Sequence, residues 1–239
     1  MSALARELKR FAVCLRDGLR LFHLAPAIPL LAVVFEFVQH VVEVRIGLFE
    51  SRAAFNALTL DSTRMAFGYA KVAALWLSML LATRFWANRA EERPWWSFAT
   101  VAWRPLGIGL LLSILVSIPA APGWGLAPGV FLALNLAIMA VTLPLAVLIV
   151  AGLVGDSEAT LRGVYRHGWG KGLRMLLFLL AAVIPLLVLH YANHFSAFGQ
   201  GPVVVWSLMA FDAVLVGAIA AIMGTIMHHG YAPPDLNRS

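Results

Sequence analysis

Residues 156–191 read DSEATLRGVYRHGWGKGLRMLLFLLAAVIPLLVLHY, and the character of this stretch changes in the middle. Residues 156–170 are amphipathic and basic, whereas residues 173–191 are almost purely apolar. A helix that crosses a bilayer needs about 20 apolar residues, and the second half meets that length. The pattern predicts a helix on the membrane surface that turns at the glycines 168, 170 and 172 into a membrane-spanning helix.

The composition extends this interpretation to the whole chain. Of its 239 residues, 61% are hydrophobic and 13% are charged, and the mean hydropathy is +0.84. Soluble domains are about one quarter charged, so a soluble globular fold is excluded. We predict an all-α integral membrane protein, residues 1–239, that forms a single polytopic domain with six transmembrane helices. The predicted spans cover about residues 21–42, 65–86, 103–119, 129–152, 173–191 and 203–227.

Residues 1–22 form a separate, amphipathic segment. Leu4, Leu8 and Leu15 recur at helical spacing, and arginines and a lysine occupy the other faces. This pattern is typical of an interfacial helix on an anionic membrane surface. With residues 156–170 and the basic, tryptophan-rich connection at 88–104, it predicts two or three amphipathic surface helices on the cytoplasmic side.

The distribution of basic residues predicts the orientation. Arginine and lysine concentrate in the N-terminal segment and in the connections after the second and fourth spans; the connections after the third and fifth spans have none. By the positive-inside rule, both termini are cytoplasmic. Short connections and the excess of arginine over lysine favour a bacterial source, and we therefore expect a multi-pass protein of the bacterial inner (plasma) membrane.

Charge and cysteine content exclude other classes of protein. The net charge of +6 sits in the connections between apolar runs, where it determines topology, so nucleic acid is not an expected partner. The single cysteine, Cys14, excludes an intramolecular disulfide and a multi-cysteine metal site.

Each odd-numbered span begins with a similar pattern. A basic residue is followed by an apolar run and then by Ile-Pro, as in Arg20 to Pro29, Arg104 to Pro119 and Arg174 to Pro185. Three parallel repeats of two spans each, every one preceded by a surface helix, would explain the similarity. The alternative is that any helix entering from the cytoplasm favours an arginine at the interface and tolerates a proline.

The segment GDSEATLRGVYRHGWGKGLRMLLFLLAAVIP, residues 155–185, resembles a family of six-span bacterial inner-membrane proteins. These are related to the membrane-anchor domain of glycerophosphoryl diester phosphodiesterases. The shared features are a surface helix, a Gly-Leu-Arg entry and an Ile-Pro exit. In fused members the phosphodiesterase activity belongs to a separate barrel, which takes about 250 residues. The resemblance therefore implies the layout of the spans, and no catalytic residue is carried over.

Polar residues inside the predicted spans are the candidate site. Ionisable groups in lipid are costly, so each is a functional hypothesis. By the predicted topology all of them fall in the outer half of the membrane, and they are Glu36, His40, Glu43, Asn135, His190, His194 and Asp212. Glu36, His40 and Glu43 share one helical face, as do His190 and His194.

Several roles are open for these residues. Glu36, His40, His190 and His194 have the side chains of a zinc-type site. The same groups would relay protons or bind a lipid or cationic headgroup. A structural role is the alternative: Glu36 and His40 would neutralise each other, His190 and His194 would lie at headgroup depth, and Asp212 would hydrogen-bond a neighbouring helix.

The sequence contains no GxSxG, GxxxxGK[ST] or GxGxxG signature, and no cofactor is predicted. We therefore expect a protein without enzymatic activity that acts by association, as an accessory subunit, assembly factor or envelope-homeostasis factor. Its expected partners are membrane lipids and other membrane-protein subunits. The alternative is a small transporter or lipid-handling protein that uses the polar residues above. Small residues along the last span, among them Gly217 and Gly224, suit close helix packing.

Overall fold

The computed structural model describes residues 2–120 and 127–234, and over these residues the chain is all-α, as predicted. This part of the chain holds nine α-helices and no strand. In chain order they are α1 (Ala3–Leu24), α2 (Ala27–Arg45), α3 (Arg52–Leu58), α4 (Ser62–Ala90), α5 (Trp103–Ser117), α6 (Pro128–Val154), α7 (Leu161–His167), α8 (Trp169–Ala197) and α9 (Pro202–Tyr231).

Five helices, namely α2, α4, α6, α8 and α9, are long and apolar enough to cross a membrane. By helix length and hydropathy this is a multi-pass membrane protein, and five of the six predicted spans coincide with these helices. The predicted span at 103–119 is α5, which is apolar but has only 15 residues before a short 3-10 turn at Ile118–Ala120. Most of the connection predicted between this span and the next, residues 120–128, lies outside the described residues.

The boundary between α1 and α2 differs from the predicted one. The N-terminal helix α1 continues to Leu24, and the first helix that is long and apolar enough to cross a membrane, α2, begins at Ala27 instead of residue 21. Pro26 explains the break, because the residue before a proline is disfavoured in the α conformation. Ala25 accordingly leaves the helical region, with φ −152° and ψ 66°.

The surface helix predicted over residues 156–170 is shorter than expected. It begins only after Thr160, whose hydroxyl accepts the Gly163 N–H at 3.1 Å, and it ends at His167. Of the three glycines at which we predicted the turn, only Gly168 separates two helices. Gly170 and Gly172 lie inside α8, because the helix of the following apolar run begins as early as Trp169.

The described connection between α4 and α5 contains no surface helix, although the repeat hypothesis predicts one there. Residues 91–102 form turns and irregular structure. The buried Arg84 side chain donates from Nε to the carbonyl of Ser97 at 2.9 Å and from Nη1 to that of Leu153 at 2.7 Å. Arg84 is thus a buried structural residue that holds this connection in place.

The chain divides into two compact units, Met1–Ala82 with Leu179–Ile226, and Thr83–Phe178 with Met227–Ser239. In the first unit, α9 packs through small residues. A Cβ on Gly217 would lie 3.0 Å from the carbonyl oxygen of Pro29 in α2, and a Cβ on Gly224 would lie 2.6 Å from Cβ of Ala82 in α4. The small-residue stripe therefore serves packing within the chain. In the second unit, α5 packs on α6.

Candidate functional site

Polar side chains from four helices of the first unit meet in one buried group, which we call the polar cluster. They come from four helices: the middle and C-terminal part of α2, the C-terminal half of α8, and the N-terminal halves of α4 and α9. This is the arrangement expected when the C-terminal ends of two helices lie beside the N-terminal ends of two antiparallel ones. The members of the cluster are Glu36, His40, Glu43, Arg64, Lys71, His190, Asn193, His194 and Asp212.

The α2 side of the cluster is the face that its spacing predicts. Glu36, His40 and Glu43 follow one another at i, i+4 and i+7 and are at most 1% exposed. His40 Nδ1 lies 2.8 Å from Glu43 Oε2, and His40 Nε2 lies 3.4 Å from Glu36 Oε1. The imidazole is therefore held between two carboxylates of its own helix.

Asp212 joins this face to α8. Its Oδ2 lies 3.1 Å from His40 Nε2, 2.7 Å from His190 Nδ1 and 3.4 Å from His194 Nε2. Its other oxygen, Oδ1, accepts a hydrogen bond from Asn193 Nδ2 at 2.9 Å. One fully buried carboxylate thus meets three imidazoles and an amide from two other helices.

Two basic residues of α4, which the sequence analysis did not assign to the site, complete the cluster. Lys71 Nζ donates to Glu36 Oε1 at 3.0 Å, and Arg64 Nε donates to Glu43 Oε1 at 2.9 Å. Arg64 and Lys71 are seven residues apart on a largely apolar helix. That spacing puts both side chains on one face of α4, so the sequence did contain a signal that both face the same neighbouring helix.

Several buried polar atoms of the cluster have no hydrogen-bond partner among the residues that the structure describes. They are Glu36 Oε2, His190 Nδ1 and His194 Nε2, so the close approach of the two histidines to Asp212 lacks hydrogen-bond geometry. A buried polar atom left unpaired costs about 1–3 kcal/mol. The cluster therefore brings many ionisable side chains close together but leaves some of their polar atoms without hydrogen bonds.

Asn135, the remaining predicted site residue, lies in α6. It is half-buried, and its amide donates to the carbonyl of Phe131 one turn earlier at 2.8 Å. This contact satisfies the side chain within its own helix. We therefore do not count Asn135 with the polar cluster.

The donor atoms of the cluster are of the kinds that bind metal ions. Glu36, His40, His194 and Asp212 each offer one atom, and the four atoms lie within 4.8 Å of one another. Imidazole nitrogen and carboxylate oxygen are the usual ligands of zinc when thiolates are absent. Compared with the predicted candidates, Asp212 takes the place of His190.

A cavity of about 180 Å³ lies beside the cluster and is lined by Val44, Gly47, Phe49, Glu50 and Trp206, among others. The Phe49 ring packs edge-on against the His194 ring, with the two centroids 5.6 Å apart. A single aromatic ring thus links the wall of the cavity to the cluster.

Comparison with known proteins identifies no relative: no family model, no curated protein and no solved structure matches the chain.

Proposed function

We propose that this protein is a small membrane transporter that moves a cationic solute through the polar cluster. The charge of the cluster carries the proposal. Three buried carboxylates face one ammonium and one guanidinium, so the cluster is neutral only with one further positive charge. His40 presents both ring nitrogens to carboxylates and can hold that charge as a proton, which a bound cation can replace. Glu36 Oε2 has no hydrogen-bond partner among the described residues and is an acceptor for the cation.

The cost of the cluster favours this role over a purely structural one. Burying several charges costs more than packing apolar residues of similar volume. Helices in lipid associate well through small residues and close packing, and Gly217 and Gly224 already provide such contacts. Since glycine contacts already bring α9 close to α2 and α4, a functional reason best explains why the cluster is present.

The proposal retains the predicted setting. The protein has six spans, lies in a bacterial inner membrane with both termini in the cytoplasm, and catalyses no reaction. The sixth span is α5, which at 15 residues is about 22 Å long. Such a helix is short for a hydrocarbon core of about 30 Å, and local thinning of the bilayer would accommodate it. The polar cluster then lies in the outer half of the membrane.

A second candidate is association with another membrane-protein subunit, and α1 favours it. Leu4 is 70% exposed and Leu8 59% exposed on this amphipathic helix. Both leucines need apolar cover, which membrane lipids or a partner subunit would provide.

The test uses the purified full-length chain in lipid vesicles with an imposed inside-negative potential. One set of vesicles contains a pH-sensitive dye and the other a zinc-sensitive dye. We expect cation entry in one of the two sets, and its loss in Asp212→Asn. Glu158→Gln, a change at an exposed carboxylate outside the cluster, should leave entry intact.

Two results would argue against transport. One is the absence of any dye response with the unaltered protein. The other is an Asp212→Asn protein that inserts and conducts as before, which would leave the cluster with a structural role.

A further inference from the structure

We propose that Glu36, His40, His194 and Asp212 bind one divalent transition-metal ion of the zinc class. This inference builds on the proposed function and names the cation. Four buried donor atoms from three helices converge within 4.8 Å, and two of the four residues have an unpaired buried atom.

The spacing of the donors fits a tetrahedral ion. Zinc bonds to nitrogen and oxygen are about 2.0–2.2 Å long, which places tetrahedral ligands about 3.4 Å apart. Asp212 Oδ2 lies 3.1 Å from His40 Nε2 and 3.4 Å from His194 Nε2. Glu36 supplies the fourth donor, within 4.8 Å of the others. The two pairs that share Asp212 Oδ2 already have close to the ligand separation that the ion requires.

The residues behind the donors orient them as outer-shell partners do in metal sites. The second nitrogen of His40, Nδ1, bonds to Glu43, and Glu43 in turn accepts a hydrogen bond from Arg64. Metal-binding histidines typically bond their other nitrogen to a carboxylate in this way. Asn193 holds Oδ1 of Asp212 and so leaves Oδ2 facing the imidazoles.

The charges also suit a divalent ion. Two of the donors are carboxylates and two are imidazoles, so with neutral imidazoles one divalent ion balances the charge of its own four ligands. Glu43 balances Arg64, and Lys71 leaves the whole cluster with one positive charge. The ion takes the place of the proton that His40 holds towards Asp212. Lys71 occupies Glu36 Oε1, but Glu36 Oε2 has no partner. Glu36 can therefore bind the ion without losing its contact to Lys71.

The cavity beside His194 offers a route to the site. Its wall includes the carboxylate residue Glu50 and the Phe49 ring that packs on His194. An ion entering from the cavity would have to displace the Phe49 ring to reach His194. A metal site needs such a path as much as it needs its ligands.

The experiment measures metal binding directly, with zinc chloride as the probe and the purified chain in detergent. After incubation and desalting, we expect one zinc per chain by elemental analysis. Asp212→Asn and His194→Gln should weaken zinc binding by at least about 100-fold, and the positioning variant Glu43→Gln by about 10–100-fold. The exposed His167→Gln is the matched control and should bind as the unaltered protein does.

Cobalt(II) gives a readout that does not depend on any variant's folding. The cobalt-loaded protein should show the d–d absorption of a tetrahedral ion, and zinc should displace it. Failure to retain stoichiometric zinc, or zinc retained equally by Asp212→Asn and His194→Gln, would overturn the metal site. If zinc does not bind but protons enter vesicles in an Asp212-dependent manner, the metal inference fails and the transport proposal stands. If zinc binds and no cation crosses, the reverse holds.

Discussion

Asp212 contacts ring nitrogens of three histidines at 2.7 to 3.4 Å, and this number of partners separates it from an ordinary interhelical hydrogen bond. An ordinary interhelical hydrogen bond joins a carboxylate oxygen to one neighbour. Asp212 instead draws side chains from α2 and α8 towards one oxygen, while Asn193 holds the other. Preorganisation of this kind favours binding, because the side chains are already in place and no free energy is spent on ordering them when the ligand binds.

Cys14 gives a test of packing at the level of one residue outside the membrane-length helices. Its side chain is fully buried, and burial, helped by the Asp17 carboxylate, raises the pKa of the thiol to about 12. Only the thiolate reacts with maleimide. Labelling of the folded protein should therefore be slow at pH 8 and should rise about tenfold per pH unit towards that pKa.

The control for this prediction is an exposed thiol in the same background, Cys14→Ser combined with Ser157→Cys. Its labelling should level off above an ordinary thiol pKa of about 8.5. Equal labelling rates for the two proteins at pH 8 would show that Cys14 is not buried.

At the scale of the helices, the approach of α9 to α2 and α4 decides whether the cluster can form. Glycine at 217 and 224 removes the atoms that would keep these backbones apart. The same approach brings Asp212 of α9 to His40 of α2, 172 positions away in the chain. The small residues thus allow the close approach of α9, and the same approach brings the residues of the polar cluster together.

Gly224→Ala should destabilise the protein by about 2 kcal/mol, because the added methyl would lie 2.6 Å from Cβ of Ala82 and closer still to the carbonyl of Met79. Thermal unfolding in detergent measures the effect. Gly170→Ala is the matched control, since nothing lies within 4 Å of its added carbon. That change should stabilise helix α8 by about 0.5–1 kcal/mol. Equal midpoints for the two variants would contradict the close packing of α9.

At the scale of the whole molecule, the open point is whether α5 crosses the bilayer. If α5 and α6 both cross, the connections on either side of them lie on the same side of the membrane. A reporter active only in the cytoplasm, fused after Glu91 or after Asp156, should then give signal at both sites. Signal at only one of them would leave five crossings and require a different topology.

A fusion after Gly199, between α8 and α9, calibrates the same experiment. This connection is predicted to lie outside, because it follows a single further crossing by α8 and contains no arginine or lysine. It should be silent with the cytoplasmic reporter. Signal there would reverse the predicted orientation.

The helical class and the positions of the long helices could be predicted from the sequence, because they depend on local composition. An apolar run of sufficient length crosses lipid as a helix whatever its neighbours are. The faces Glu36-His40-Glu43 and His190-His194 were predictable for the same reason, since helical spacing is a local property. Local patterns gave a wrong prediction for the connection before α5, where the repeat predicts a surface helix and the structure describes none. There the Arg84 side chain bonds to backbone carbonyls that are distant in the sequence, and a local pattern does not contain such contacts.

By itself, the sequence determined that the chain enters the membrane, which segments cross it as long helices, and which residues carry charge into them. The tertiary structure alone decided that Asp212 meets three histidines and that Lys71 and Arg64 bond to two of the three carboxylates. The physical reason is that the free energy of transferring a segment into lipid is approximately the sum of the contributions of its own residues. The pairing of buried charges depends on which helices can approach each other, and that depends on packing between residues far apart in the chain.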